Sequence, residues 1–170
     1  MERKAEEMFR TMRRYRQELS PEVCRQILTR GTTGVLAVCG DDGYPYTIPL
    51  NYIYTEGKLY FHGAKTGHKI DAIRRSDKVS FCVIDYEQYL PEQFTTVFRS
   101  VVVFGRAVIL EDPEEMYRAV DSLGARFSPQ VSREKREAEI RREWAPLAVI
   151  RLDIEHMTGK QAKELLQKEQ

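Results

Sequence analysis

Cysteine and net charge are both scarce in this sequence, and each scarcity excludes a class of protein. The three cysteines, Cys24, Cys39 and Cys82, are an odd number with wide spacing and no C-x-x-C pair. This pattern argues against a disulfide framework and a zinc site, and it favours small reduced core residues. The 27 lysine and arginine residues nearly balance 26 aspartate and glutamate residues, which leaves a net charge of +1. Overall charge therefore does not support nucleic-acid binding.

Long apolar runs are also missing. The longest apolar segments fall far short of the roughly 20 residues that a membrane-spanning helix needs. Residues 1–20 are charged throughout, unlike a signal peptide. We therefore expect a cytoplasmic protein that binds neither a membrane nor nucleic acid. With 170 residues, 42% apolar and 31% charged, the chain suits one globular domain.

The glycines form neither of two common nucleotide-binding motifs. No G-x-G-x-x-G sequence follows a predicted strand, so no dedicated dinucleotide fold is expected. Gly63 and Gly67 are separated by three residues and followed by His-Lys-Ile. A Walker A loop needs four intervening residues and then Gly-Lys-Ser/Thr, so a nucleotide-hydrolase P-loop is excluded.

A concentrated basic segment lies at residues 62–69, His-Gly-Ala-Lys-Thr-Gly-His-Lys, where a predicted strand ends and a helix begins. Across positions 65–78, five lysine or arginine residues stand against two aspartates. The helix opens with His68 and Lys69, although a helix N-terminus favours negative charge. A bound phosphate would explain both cations, because it accepts hydrogen bonds from the free N–H groups while the side chains neutralise it. The alternative is a basic surface helix capped by Thr66.

Hydrophobic periodicity and turn residues predict six strands and four helices. The predicted strands are residues 33–39, 45–55, 58–64, 78–85, 100–110 and 147–154. The predicted helices are residues 20–30, 67–76, 112–126 and 131–143. Residues 86–98 are predicted to form an aromatic-rich loop that serves as a lid, a subunit contact or a segment packed on its own domain. Short antiparallel strands in one small domain indicate a barrel.

Three strand residues or segments carry more specific expectations. The nearly continuous apolar run at 78–85 predicts a strand buried on both faces. Gly105 predicts a bulge or bend in the longest strand. Pro49 withholds a ladder donor, and it therefore predicts an edge strand or irregular backbone beside a ligand, or only a bulge.

Six segments, in their order along the chain, carry a family resemblance. They are residues 42–52 (DGYPYTIPLNY), 59–64 (LYFHGA), 67–71 (GHKID), 78–81 (KVSF), 100–107 (SVVVFGRA) and 154–160 (IEHMTGK). The ordered set resembles the flavin-binding split-barrel superfamily that includes pyridoxamine 5'-phosphate oxidase, most strongly its nitroimidazole-resistance (Nim) branch. The resemblance implies a mainly β (α+β) fold: a six-stranded antiparallel split β-barrel with flanking helices, homodimeric, with FMN at the subunit interface. It divides the chain into an N-terminal arm (1–19), an FMN-binding split-barrel domain (20–160) and a C-terminal tail (161–170).

The resemblance also implies which residues hold the cofactor. The family's phosphate-binding Arg-Lys pair corresponds to His68 and Lys69, where the helix-dipole argument already placed an anion. A neutral imidazole would leave Lys69 with more of the phosphate charge. Ser100 corresponds to a flavin-contacting glutamine of the oxidase branch. The residues implied to bind FMN are Thr47, Ile48, Pro49, Leu50, Asn51, Phe61, His62, Gly63, Ala64, Gly67, His68, Lys69 and Ser100.

Two classes of function follow from the resemblance. The first is an FMN oxidoreductase that reduces a small aromatic or nitro-substituted substrate, with His62 as candidate catalytic residue and NAD(P)H as a transient donor. The second is a non-catalytic binder of flavin or haem, in which His62, His68 or His156 would ligate iron. A deazaflavin is a third candidate ligand. His62 also fits a satisfied histidine at a strand end, with no ligand.

Three further features of the oxidase branch are relevant here: a tail motif, an interface tryptophan and an N-terminal arm. Its arginine-bearing tryptophan motif is missing from the tail, so pyridoxamine phosphate oxidase activity itself is not expected. Trp144 either stacks on the partner's flavin or belongs to the core. Arg13, Arg14 and Tyr15 resemble the arm that covers the site in relatives.

Overall fold

The structure is a computed structural model that describes residues 9–166. Within them, the strands are β1 (Glu18–Leu19), β2 (Thr33–Cys39), β3 (Pro45–Asn51), β4 (Ile53–Thr55), β5 (Lys58–Ala64), β6 (Lys78–Leu90), β7 (Thr95–Ile109) and β8 (Leu147–Gln161). The helices are α1 (Pro21–Arg30), α2 (His68–Arg75), α3 (Pro113–Phe127), α4 (Arg133–Glu143) and α5 (Lys163–Leu166). Every helix of this part of the chain is too short or too polar to span a membrane.

The eight described strands form one antiparallel sheet. Its order is β3-β2-β6-β7-β8-β5-β4, with β1 paired to the far end of β8. The two end strands, β3 and β4, are separated in the chain by Tyr52 alone, so the sheet must curl until its ends meet. This arrangement confirms the predicted split β-barrel with flanking helices.

Two differences raise the strand number from six to eight. Tyr52 divides the predicted strand 45–55, because its ring is fully buried and packs edge-on against Phe81 at 5.1 Å. The Tyr52 hydroxyl donates a hydrogen bond to the Leu28 carbonyl oxygen at 2.9 Å, which holds this inward turn. The other addition is β1, whose two residues are too few to produce a periodic pattern.

The core has two parts. One fills the barrel and includes the fully buried Leu36, Phe61 and Phe81. The other lies between the outer face of β4, β5 and β8 and the apolar side of α3, where Val149 packs with Leu123. This second cluster fixes α3 against β5, close to the end of that strand.

Strand β6 is buried on one face only, so the prediction of burial on both faces was wrong. Phe81 points into the barrel, whereas Ile84 on the outer face is 63% exposed. The outer faces of β2, β6 and β7 are open to solvent and also expose Val35 and Phe104.

The three cysteines do not share one environment. Cys24 is buried as predicted, but Cys82 is half-buried on the open face of β6 and Cys39 is exposed. The prediction of core cysteines was therefore wrong for Cys39, because the end of β2 reaches solvent on that side.

The predicted loop at 86–98 is a β-hairpin instead. Strand β6 continues to Leu90 and pairs with the start of β7, and the tip holds Phe94 in the left-handed conformation at φ 49°. Phe94 is 88% exposed. The prediction failed because a register shift between Ile84 and Tyr86 interrupts the alternation on which it relied. In contrast, the predicted irregularity at Gly105 is confirmed by a register shift between Phe104 and Gly105.

Asp85 anchors the base of this hairpin, at the register shift between Ile84 and Tyr86. Its side chain is only 7% exposed and accepts hydrogen bonds from Arg30 Nε and Nη2, both at 2.7 Å, and from Arg99 Nε at 2.6 Å. Burial alone raises the pKa of Asp85, but the hydrogen bonds from Arg30 and Arg99 outweigh it and hold the pKa below its usual value. The ionised carboxylate is therefore the stabilising form.

We expect Asp85→Asn to lower the free energy of unfolding at pH 7 by about 1–3 kcal/mol, because two guanidinium groups lose a charged partner. The wild-type contribution is present above the unfolded-state pKa and is lost as the pH falls through the lower folded-state pKa. Urea unfolding at pH 7 and at several values below 4 measures both effects. The control is Asp71→Asn, whose exposed carboxylate lies 3.7 Å from Arg74. Equal losses in the two variants would contradict the anchoring role.

Candidate functional site

Helix α2 begins at an uncapped N-terminus. Its N-cap is Gly67, not Thr66, and no side chain in residues 9–166 caps the helix. Gly67 has φ 120°, a conformation that other residues rarely adopt. The first intrahelical bonds are donated by the N–H groups of Ile70 and Asp71 to the Gly67 carbonyl oxygen. The start of α2 therefore leaves backbone donors for an outside acceptor.

The side chain of Lys69 runs across the end of β5. A Cβ atom at Gly63 would lie 3.0 Å from Lys69 Nζ and 3.1 Å from Lys69 Cε, so glycine makes room for the lysine. The ion pairs of α2 involve His68, Arg74 and Arg75, and none within residues 9–166 includes Lys69. An ammonium group without an acidic partner thus lies beside an uncapped helix start, which is a suitable arrangement for an anion.

His68 is engaged differently. Its ring stacks on Tyr46 with the centroids 4.1 Å apart, and its Nε2 lies 3.4 Å from Asp41 Oδ2. Arg75 also binds Asp41, at 2.6 Å. Of the two residues predicted to bind phosphate, only Lys69 lacks an acidic partner in the described part of the chain.

A cavity of about 520 Å³ lies between the end of β5 and helices α3 and α4. This volume is within the range of small-molecule sites. Four residues predicted to bind FMN line it: Asn51, His62, Gly63 and Ala64. Apolar side chains of the opposite wall are Val120, Leu123, Phe127, Val131 and Ile140. Polar side chains around it are Ser128, Arg136, Glu139 and Glu143.

This helical wall was not predicted from the sequence. The dense charge of residues 131–143 is typical of a solvated surface helix, and Arg133 and Glu137 form an exposed ion pair at 2.8 Å. The overlooked signal was Gly124 inside α3. A Cβ atom there would lie 2.5 Å from Arg136 Cδ, so the glycine lets the arginine cross α3 and reach Asp121 at 2.6 Å.

The other candidate residues of β3 and β5 alternate between two faces. Thr47, Pro49 and Asn51 point outward, and Pro49 lies in an edge strand as expected. The remaining side chains, Ile48, Leu50 and Phe61, pack on the barrel core and leave only their backbone for a ligand.

Ser100 lies far from His62 in the fold. It is on the open outer face of β7, opposite Lys160 of β8, whereas His62 is opposite Val149 of β8. The eleven residue steps from Val149 to Lys160 on β8 correspond to roughly 36 Å along the strand at about 3.3 Å per residue. The fold of this chain therefore does not bring its own Ser100 to the cavity.

A sequence profile of the pyridoxamine 5'-phosphate oxidase family matches residues 20–161. The chain belongs to this family. A comparison with curated proteins finds no match.

Solved structures show the same family fold. A conserved hypothetical protein of Mycobacterium tuberculosis has a TM-score of 0.78 and 22% identity, covering 91% of this chain and 92% of that one. A candidate 5-nitroimidazole antibiotic resistance protein of Bacteroides thetaiotaomicron has a TM-score of 0.68 and 21% identity, covering 84% and 85%. An FAD-binding protein of Mesorhizobium loti has a TM-score of 0.59 and 28% identity, covering 86% and 97%.

The remaining candidate segments of this pyridoxamine oxidase family member lie at its periphery. Trp144 is half-buried against the second core cluster. Arg13, Arg14 and Tyr15 are exposed just before β1. The predicted arm and tail include residues 1–8 and 167–170, which lie outside the described residues.

His62 is electrostatically distinct in this family member. Its side chain is exposed at the cavity, but the cavity walls exclude part of the surrounding water, and this partial desolvation lowers the pKa of His62. The positive charge of Lys69 lowers the pKa further. The imidazole is therefore neutral at pH 7 and can donate one hydrogen bond and accept another.

We expect an NMR titration to place the His62 pKa below the ordinary 6.5. Lys69→Met should raise it towards that value, because one of the two causes is removed, whereas Lys78→Met at the start of β6 should leave it unchanged. The folded protein holds this proton less tightly than the unfolded chain does. The free energy of unfolding should therefore fall as the pH drops from 6.5 towards the folded-state pKa. Equal titrations in the two variants would contradict the role of Lys69.

Proposed function

We propose that this chain binds FMN as a homodimer and acts as an oxidoreductase on a small aromatic or nitro-substituted substrate. The observation that carries the proposal is the ammonium of Lys69, which lies across Gly63 without an acidic partner in residues 9–166, beside the uncapped start of α2. An FMN phosphate fits this position, because it would accept backbone hydrogen bonds and neutralise the lysine.

The flavin ring has a matching place beside the phosphate position. Lys69 lies against Gly63 at the end of β5, and Asn51 at the end of β3 lines the same cavity as His62, Gly63 and Ala64. Asn51 and His62 offer polar groups to the ring at the strand side of the cavity, so the flavin would lie along the strands and leave the helical side, formed by α3 and α4, open. A bound flavin would supply hydride or single-electron transfer, and the protein would bind, orient and shield it.

One relative supports a flavin as the ligand. The Mesorhizobium loti protein, 28% identical to this chain, is an FAD-binding protein. The Bacteroides thetaiotaomicron protein supports the nitro-substituted substrate class, since it is connected by name with nitroimidazole resistance.

Two features of the chain support the proposed homodimer. The outer face of β2, β6 and β7 exposes Val35, Ile84 and Phe104, which a second copy would cover. Ser100 lies on that face and far from His62. It can therefore contribute to a flavin site only where that site lies between two copies.

The overall reaction needs a two-electron donor, for which we propose NAD(P)H. For a nitroaromatic substrate the balance is NAD(P)H, a proton and the nitro compound giving NAD(P)⁺, the nitroso compound and water. Neutral His62 is placed to hold or deliver a proton at the cavity wall. Pyridoxamine phosphate oxidation is not proposed, because the tail lacks the motif that would receive the substrate phosphate.

The test is an absorption spectrum of the purified protein, followed by NADH or NADPH without oxygen and mass analysis of the released ligand. Flavin bands that bleach, together with FMN in the extract and a dimer by light scattering, would support the proposal. Flavin bands that persist would indicate a binder or another donor. FAD or a deazaflavin in the extract would correct the cofactor. A Soret band would replace flavin by haem and make His62 a candidate iron ligand.

A further inference from the structure

The position of α4 sets the width of the cavity. Nine of the eleven residues of α4 are charged, and Ile140 is its buried residue. The helix therefore does not pack on the sheet through an apolar face. It rests on α3 through Arg136, which crosses Gly124 and binds Asp121. This contact keeps α4 away from the end of β5 and leaves space between them.

We propose that this space is a second binding site, beside the flavin, for a neutral or cationic aromatic molecule. The inference rests on the proposed function and names its substrate class. It assigns specificity to α3 and α4, outside the segments that carry the family resemblance.

The shape of the space suits a flat apolar molecule. Leu123 and Phe127 of α3 form one apolar wall, and Val131 and Ile140 continue it towards α4. His62 and Ala64 point into the space from β5, because alternate residues of a strand face the same side. An aromatic ring would bury apolar surface on the helices and contact the imidazole edge.

The charges around the space disfavour an anion. Arg136 is neutralised by Asp121. At the rim, the single guanidinium of Arg142 bridges Glu139 and Glu143, which leaves one net negative charge. Lys69 lies on the Gly63 side of β5, and this is the side where the FMN phosphate is proposed. His62 and Ala64 point to the opposite face of the strand. A carboxylate or phosphate would meet no unpaired cation on the helical side among these lining groups.

Three naphthalene compounds of matched shape test the charge preference: 1-naphthylmethylamine (cationic), 1-naphthalenemethanol (neutral) and 1-naphthoate (anionic). Calorimetry would measure their binding to the full chain as purified and after saturation with FMN. We expect the amine and the alcohol to bind, and the amine to bind about 3–10-fold more tightly than the acid at low salt, as exposed carboxylates allow. This preference should shrink at high salt.

Two pairs of variants locate the site. Val131→Phe fills the cavity and should weaken binding at least about tenfold, since the ring must be displaced. Gln130→Phe adds the same ring one residue earlier at an exposed position and should leave binding unchanged. The double variant Glu139→Gln/Glu143→Gln should abolish or reverse the charge preference. Glu137→Gln, a carboxylate of α4 outside the cavity lining, should retain it.

The outcomes separate this inference from the proposed function. Binding that Val131→Phe and Gln130→Phe affect equally, binding that favours the acid, or no binding of any probe would overturn the inference, whether or not FMN binds. Displacement of the probes by FMN would also overturn it, because the space would then belong to the flavin. Probe binding without FMN binding would keep the cavity and reject the flavin proposal.

Discussion

Lys69→Ala is expected to weaken FMN binding by about 10–100-fold, the range for losing a charge-assisted hydrogen bond to phosphate. The lysine lies beside the start of α2 without an acidic partner in the described residues, so its removal takes a cation away from the proposed phosphate position. Quenching of flavin fluorescence during titration of the flavin-free protein measures the dissociation constant.

Three controls accompany this measurement. Lys78→Ala removes an exposed lysine at the start of β6, and His156→Ala removes a histidine that stacks on Phe9; both should change the affinity little. His68→Ala should have a smaller effect than Lys69→Ala, because its imidazole is already engaged by Asp41 and Tyr46. Equal losses for Lys69→Ala and His156→Ala would reject the phosphate position.

Gly105→Ala is expected to destabilise the protein by about 3 kcal/mol, at the upper end of overpacking effects. The added methyl group would overlap the Asp153 carbonyl oxygen, which is backbone and cannot rotate away. It would also approach Leu152 Cδ2 to 2.8 Å. The register shift between Phe104 and Gly105 thus depends on the missing side chain. Urea unfolding measures the loss.

Gly57→Ala is the matched control for this substitution. Gly57 has φ 74° with open space around its Cα, so alanine there costs only backbone strain, about 1 kcal/mol. A similar loss in both variants would show that steric overlap at Gly105 is relieved elsewhere, and it would contradict the role assigned to the bulge.

Local sequence patterns predicted most of the fold. The strands at 33–39 and 58–64, helix α2 and the irregularity at Gly105 follow from periodicity, capping residues and glycine placement, all of which act over a few residues. The break at Tyr52 and the hairpin at 86–98 could not be predicted this way. The first depends on a hydrogen bond from Tyr52 to Leu28, 24 residues away in the chain, and the second on a register shift that interrupts the alternation of side chains.

The residues of the candidate site also fall into two groups, those that local sequence predicts and those that depend on packing between segments. Lys69 and His62 were accessible from one short motif, because a strand end and a helix start place them together. The engagement of His68 by Asp41 and the helical wall around Gly124 depend on packing between separate segments. Of these, only the glycine inside α3 left a trace in the sequence, since an interior glycine costs about 1 kcal/mol in a helix and therefore needs a reason.

Tyr52 has a consequence for how the barrel opens. Edge strands of a sheet normally fray independently, each with its own small opening free energy. Here the two edges, β3 and β4, are consecutive in the chain and share Tyr52, whose ring is fully buried. Opening of either edge strand as far as Tyr52 must displace the same buried ring. The amide protons at 50–51 and 53–54 should therefore exchange with solvent through one shared opening, although they lie at opposite ends of the hydrogen-bonded sheet.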